Sequence, residues 1–250
     1  MAVAIEARGV VKAYGGVRAL DGLDLVLGGG RIDAIIGPNG AGKTTLFNVL
    51  TGFVRPEQGH IAFDGRTIDR LTPDRRVRIG LVRSFQILEL FPALTVGEVL
   101  TTAGLLREPL GAAKQQARAL CAEFELPWGL TSADLTPGEV RRLELGRCMA
   151  TRPRMLLLDE IMAGLTLPET DFMMERIIAL HRRGIAVVVV EHVMDVIKRL
   201  CEHVHVLAAG KIIAAGTFDD IAADPVVVEA YLGTRSGSAT RGAGSGPRSP

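Results

Sequence analysis

Apolar positions along this chain fall into short runs of two periods. Val3–Ala7, Leu23–Leu27 and Ile32–Ile36 read as strands, as do the shorter stretches Ile61–Phe63 and Leu81–Phe85. Met155–Leu158 and Ile185–Val190 are unbroken aliphatic runs, the pattern of strands covered on both faces. Val204–Ala208 and Lys211–Ala215, parted by Ala209-Gly210, predict a hairpin. Helical spacing takes over from Lys43 to about Leu50, through 111–125, and from Glu169 to Arg183. Thr95-x-x-Glu98 is a capping box that should open a helix running toward Leu106. Residues 87–150 therefore read as a mainly helical insert, preceded by a turn-rich connection around Pro73. Strands alternating with helices predict an α/β sheet with its ligand at the carboxyl ends of the strands.

Composition narrows this picture. A length of 250 residues, 48% of them apolar, suits one large domain or a domain with a subdomain. A net charge of +1 supplies no electrostatic footprint for nucleic acid or anionic lipid. Cys121, Cys148 and Cys201 have neither metal nor redox spacing, so buried reduced thiols and a cytoplasmic setting are expected. Glu6 and Arg8 interrupt the N-terminus, which leaves no visible signal peptide. Each apolar run is too short to cross a bilayer, so any membrane association is expected to be peripheral. The domain is expected over 1–233, and 234–250, rich in Gly, Ser, Arg and Pro, should be disordered.

The chemistry begins where the run Ile32–Ile36 meets Gly37-Pro38-Asn39-Gly40-Ala41-Gly42-Lys43-Thr44-Thr45. This is a Walker A phosphate loop in its strand-to-helix context. The glycines let successive backbone N–H groups turn inward around a phosphate, and the following helix adds the positive end of its dipole. Lys43 would reach the β- and γ-phosphates, and the Thr44 hydroxyl would ligate Mg²⁺. A second feature is Leu156-Leu157-Leu158-Asp159-Glu160, an aliphatic strand that delivers adjacent carboxylates to the same edge. Asp159 would hold the metal, and Glu160 would polarise an attacking water. Gln86 and His192 each follow a strand, so they too project toward that edge. The remaining histidines, at 60, 181, 203 and 205, form no ligand cluster.

Taken in order, Tyr14-Gly15-Gly16, the Walker A loop, Gln86, Leu135-Thr136-Pro137-Gly138-Glu139, Asp159-Glu160, Ala163-Gly164-Leu165-Thr166 and His192 resemble the ATP-binding subunits of ABC transporters. The resemblance spans about residues 3–233. AYGGVRALDGL, VRSFQ, RRLELGRCMATRP and DPVVVEAYLG look closest to the subgroup that drives import of branched-chain amino acids. It implies a P-loop NTPase core of the ABC type with an N-terminal antiparallel β subdomain and a helical subdomain. Tyr14 would stack on adenine, and Gln86 would sense Mg²⁺ and the attacking water. Glu160 would act as general base and His192 as the γ-phosphate switch. Thr136, Gly138 and Glu139 would contact ATP held by a second ATP-binding subunit, identical or different. Transmembrane permease subunits, and indirectly a solute-binding protein, would be the further partners at the inner face of the cell membrane.

Departures from the family pattern bear on turnover. Thr136-Pro137 replaces a Ser-led signature, and also makes a helix-opening capping box with Glu139. Ile161 stands where proline is usual, Thr166 where Asp or Asn is usual, and Val193 where Asp is common. The apolar segment 87–94 suits either docking on a permease or packing of the insert. Urea or amide import, lipid export and a weakly hydrolysing regulatory subunit stay open. A chromosome-maintenance ATPase would need a long coiled-coil insertion that this chain lacks.

Overall fold

The structure, a computed structural model, describes residues 3–85 and 92–236. In chain order the elements are β1 (Ala4–Tyr14), β2 (Val17–Gly28), β3 (Ile32–Ile36), α1 (Lys43–Thr51), β4 (Gln58–Phe63), β5 (Arg66–Thr67), α2 (Pro73–Arg78), β6 (Leu81–Arg83), α3 (Val96–Gly104), α4 (Leu110–Glu123), α5 (Pro137–Ala150), β7 (Met155–Asp159), α6 (Leu167–Arg182), β8 (Ala186–Val190), α7 (Met194–Leu200), β9 (His203–Ala208), β10 (Lys211–Gly216), α8 (Phe218–Ala223) and α9 (Pro225–Ser236).

Two sheets form. β2-β1-β4-β5 is antiparallel, and β10-β9-β3-β8-β7-β6 is parallel apart from the β9–β10 hairpin. In the larger sheet β3 lies between β9 and β8, both parallel to it. Because side chains alternate across a strand, each central strand feeds two cores. Ile32, Ala34 and Ile36 of β3, with Val187 and Val189 of β8, join a core shared with α3–α7. Ile35, Leu157, Val188 and Val190 face Leu46, Phe47 and Leu50 of α1 and Leu20 and Leu23 of β2. The phosphate-loop helix is thus clamped between the sheets. Its far end is held by Arg76 of α2, whose guanidinium donates to the carbonyls of Val49, Leu50, Ile68 and Leu71.

Several boundaries differ from the sequence reading, each for a tertiary reason. β1 continues past Ala7 to Tyr14 because β2 and β4 pair with it on either side, with bulges absorbing its polar residues. β6 stops at Arg83 rather than Phe85, because the Phe85 N–H turns to the Glu144 carboxylate instead of a strand. The connection around Pro73 contains α2, with Pro73 at its first helical position. The tail expected to be disordered from 234 starts inside α9, which runs through Ser236, and residues 237–250 lie outside the described part. Cys121, Cys148 and Cys201 are free and buried. Among the described residues no helix is long and apolar enough to cross a membrane.

Candidate active site

Loops leaving β3, β7 and β8 meet at a cavity of about 280 Å³ lined by residues 39–45, Glu160, His192 and Ala19 of β2. The loop after β3 is shaped by close approach. A Cβ on Gly37 would sit 2.0 Å from the Leu207 carbonyl oxygen, and one on Gly42 2.3 Å from that of Ala19. Gly42 also has a φ of 109°, and α1 begins there with no side chain capping it. α3, α5 and α8, by contrast, each open on a threonine hydroxyl that accepts an N–H. The first N–H groups of α1 and its dipole are therefore left for an anion. Gly42→Ala should cost about 1–3 kcal/mol of stability through backbone strain. It should also weaken binding of a fluorescent ATP analogue by about tenfold, equivalent to about 1.4 kcal/mol; thermal melts and titration would check both.

Lys43 is buried and donates from Nζ to the carbonyls of Gly37 (2.7 Å) and Pro38 (3.1 Å), tying the two ends of the loop together. Burial lowers its pKa, an effect opposed by the carboxylates of Glu160 and Asp159. Glu160 sits at a φ of 49°, a region a non-glycine residue enters at a cost of about 1–3 kcal/mol. Its N–H is fixed by Val190 O at 2.9 Å, and its Oε1 lies 2.7 Å from His192 Nε2. In the tautomer with Nε2 protonated, His192 donates to the carboxylate and orients it. The two strand ends are locked together beneath this pair. The buried Glu191 carboxyl accepts from Met162 N–H at 3.0 Å, and burial pushes its pKa up.

Asp159 is buried at the end of β7. Its N–H donates to Ser84 Oγ at 2.9 Å, and its Oδ2 accepts from Arg83 Nη2 at 2.6 Å. Arg83 was not singled out in the sequence. The available signal was a cation between Val82 and Ser84 in a strand, which needs a partner once buried. Glu144 of α5 was also missed. It is fully buried, accepts from Phe85 N–H at 3.0 Å, and lies 2.6 Å from Arg147 Nη2. Burial raises its pKa, and Arg147 opposes the rise. Tyr231 of α9 is hydrogen-bonded to the Gly37 backbone, so the last helix reaches the phosphate loop from behind.

These residues suit a nucleoside triphosphate with Mg²⁺. The cradle admits no Cβ at Gly37 or Gly42, the helix terminus and Lys43 favour phosphate, and Thr44 and Asp159 offer only hard oxygen donors. Among the described residues no three His, Cys, Asp or Glu side chains form a metal cage. Mg²⁺ needs none, since it takes one or two protein ligands beside phosphate oxygens and water. Other sequence candidates lie apart. Tyr14 is exposed at the end of β1, with Lys12 Nζ 5.2 Å from its ring centroid. Thr136 and Glu139 form the capping box of α5, with Thr136 N donating to Glu139 Oε2 at 2.8 Å. Gly138 is packed under Glu169, whose Oε1 a Cβ would meet at 2.0 Å. None of these four lines the Lys43 cavity. Gln86 lies outside the described residues, as does most of the apolar segment 87–94.

Comparison with known proteins now decides the family. The ABC transporter profile matches residues 20–163, and that of the branched-chain amino acid ATP-binding cassette transporter matches 211–236. The chain belongs to the ABC transporter family. It is 37% identical over 251 residues to the high-affinity branched-chain amino acid transport ATP-binding protein BraF of Pseudomonas aeruginosa, covering 92% of this chain and 97% of that one. It is 35% identical over 248 residues to LivG, of like description, from Escherichia coli, with the same coverage. A crystallised nucleotide-free ABC transporter cassette superposes with a TM-score of 0.84 at 28% identity, over 92% of this chain and 99% of that one. One in its ADP conformation gives 0.83 at 28% identity, over 93% and 100%.

In this ABC cassette the departures from the family pattern find local roles. Ile161 is buried in the core shared with α3–α7, where an aliphatic side chain suffices. Thr166 caps α6, its N and Oγ1 each 2.8 Å from Glu169 Oε2. Val193 is exposed beside the cavity-lining His192.

Proposed function

We propose that this chain binds and hydrolyses ATP with Mg²⁺ as the energising subunit of an importer for branched-chain amino acids. The observation that carries the reading is the convergence of the phosphate loop, Glu160 and His192 on one cavity, with Asp159 beside it. Lys43 and the N–H groups of α1 would hold the phosphates, and Thr44 and Asp159 would hold Mg²⁺, with Gln86 added by resemblance. The bound metal would neutralise charge on the phosphate oxygens. Glu160 would take a proton from water as its oxygen attacks the γ-phosphorus, with the bond to the ADP oxygen breaking. His192 would keep the Glu160 carboxylate aimed while that happens.

Tyr14 would stack on the adenine. Thr136, Gly138 and Glu139, apart from the cavity of their own chain, would contact ATP on a second cassette. That role, which the family resemblance implies, would pair two cassettes around two nucleotides. The pair would sit on transmembrane permease subunits at the cytoplasmic face, fed by a solute-binding protein. The similarity to the named branched-chain amino acid transport proteins supports the solute class.

Reconstitution tests the proposal. Proteoliposomes holding the permease pair and this cassette should take up leucine only with ATP and Mg²⁺ on the cassette side. Uptake of urea, or efflux of lipid, in place of leucine would overturn the solute assignment. Light scattering of Glu160→Gln with ATP and Mg²⁺ should show a dimer, and a persistent monomer would remove the two-cassette arrangement.

A further inference from the structure

Arg83 has no role in the reading above, yet it is the closest charged neighbour that the structure gives Asp159. Both side chains are 6% exposed, and Arg83 Nη2 donates to Asp159 Oδ2 at 2.6 Å. Its Nη1 donates to Asn48 Oδ1 of α1 at 2.6 Å. The guanidinium lies 5.3 Å from the ring centroid of Phe47 and 5.5 Å from that of Phe85. Among the described residues its buried Nε has no hydrogen-bond partner. A buried ion pair with an unsatisfied donor is a poor way to gain stability, and apolar side chains of similar volume in place of both partners would fold as well. The fork does something an apolar residue cannot: it occupies one oxygen of the carboxylate and, through Asn48, ties that oxygen to α1. A carboxylate has about four lone-pair sites, so the Oδ1 side stays available.

We propose that Arg83 is a positioning residue for the divalent cation, holding Asp159 by Oδ2 so that Oδ1 faces the metal or its water, with Asn48 and the two phenylalanines holding the guanidinium. Partners of metal-binding carboxylates in other proteins act this way, and their loss typically weakens metal affinity about 10–100-fold. The proposal rests on the assignment of Asp159 to the metal. Because Asn48 belongs to the phosphate-loop helix, the same arginine also fixes the carboxylate relative to Lys43 and Thr44. A lysine in its place would keep the charge but lacks the planar fork that holds Asp159 Oδ2 and Asn48 Oδ1 in one fixed geometry.

The test measures the affinity of the full-length protein for a fluorescent ATP analogue in Mn²⁺ and again in EDTA. The ratio isolates the part of binding that the metal contributes. Arg83→Met should reduce that ratio about tenfold or more, with the EDTA affinity changed less than about twofold. Arg83→Lys should recover part of the loss, and Asn48→Ala should lose a few-fold by freeing the guanidinium. Far-UV circular dichroism and thermal melts establish that each variant is folded. If Arg83→Met does not fold, Arg83→Lys and Asn48→Ala carry the test. An unchanged ratio in the folded variants, with Asp159→Asn strongly reduced, overturns the proposal alone. An unchanged ratio in Asp159→Asn overturns the metal assignment beneath it.

Discussion

Replacing Glu160 with glutamine will lower steady-state phosphate release by about 10²–10⁴-fold, the usual worth of a positioned general base. The amide has the same shape and leaves the phosphate loop, Lys43 and Thr44 untouched, so ATP-analogue affinity should stay within a few-fold of wild type. The loss should therefore fall on kcat rather than on binding. His192→Ala should be milder, because it removes a hydrogen bond to the base at 2.7 Å and leaves the base in place. If the two act as one unit, Glu160→Gln/His192→Ala will be little worse than Glu160→Gln alone. Phosphate release measured on the four proteins completes the cycle. Equal turnover in wild type and Glu160→Gln would mean that the cassette binds ATP without using this carboxylate, as a regulatory subunit would.

The second large effect is on stability. Arg76 is 1% exposed, and its five-donor fork is spent on four backbone carbonyls, at distances from 2.6 to 3.1 Å. Burial brings its pKa down to about 10, with Asp69 opposing the shift, so it stays charged at neutral pH. Val49 and Leu50 supply carbonyls from the last turn of α1, where a cation also meets the negative end of the helix dipole. Arg76→Leu would leave the Leu50 and Leu71 carbonyls dry and unpaired, and would reduce those of Val49 and Ile68 to their single backbone partners, the N–H groups of Gly52 and Leu71. Each such group costs about 1–3 kcal/mol, but they are not additive, and about 3–5 kcal/mol in total is expected. In a protein of this size that lowers Tm by about 10 °C. Arg76→Lys should recover only part, since a point charge cannot serve four carbonyls at once. Calorimetry of the three proteins decides it, and a shift below about 2 °C would show that water or a repacked α2 satisfies the carbonyls.

Both predictions concern α1 and the strand ends beside it, and the sequence displayed these unequally. The Walker A loop, Asp159-Glu160 and His192 were legible because the signal is local: residue type, spacing and an apolar run that ends just before them. Two-sided burial of β7 and β8 was legible for the same reason, in the unbroken aliphatic runs. α2 was hidden behind Pro73, which reads as a turn signal although it starts a helix equally well.

Arg76, Arg83, Glu144 and Glu191 carried no comparable signal. Deciding partners lie far off in the chain, as with Arg83 and Asp159, 76 residues apart, or Glu144 and Phe85, 59 apart. Such pairs exist only because β6 is laid beside β7 and α5 is packed over both. The residues alone thus fixed which chemistry is present and at which end of which strand it stands. Strand order and helix packing decided which buried charge answers which, because a charge removed from water must find its counterpart in space, and nearness in the chain gives no measure of that.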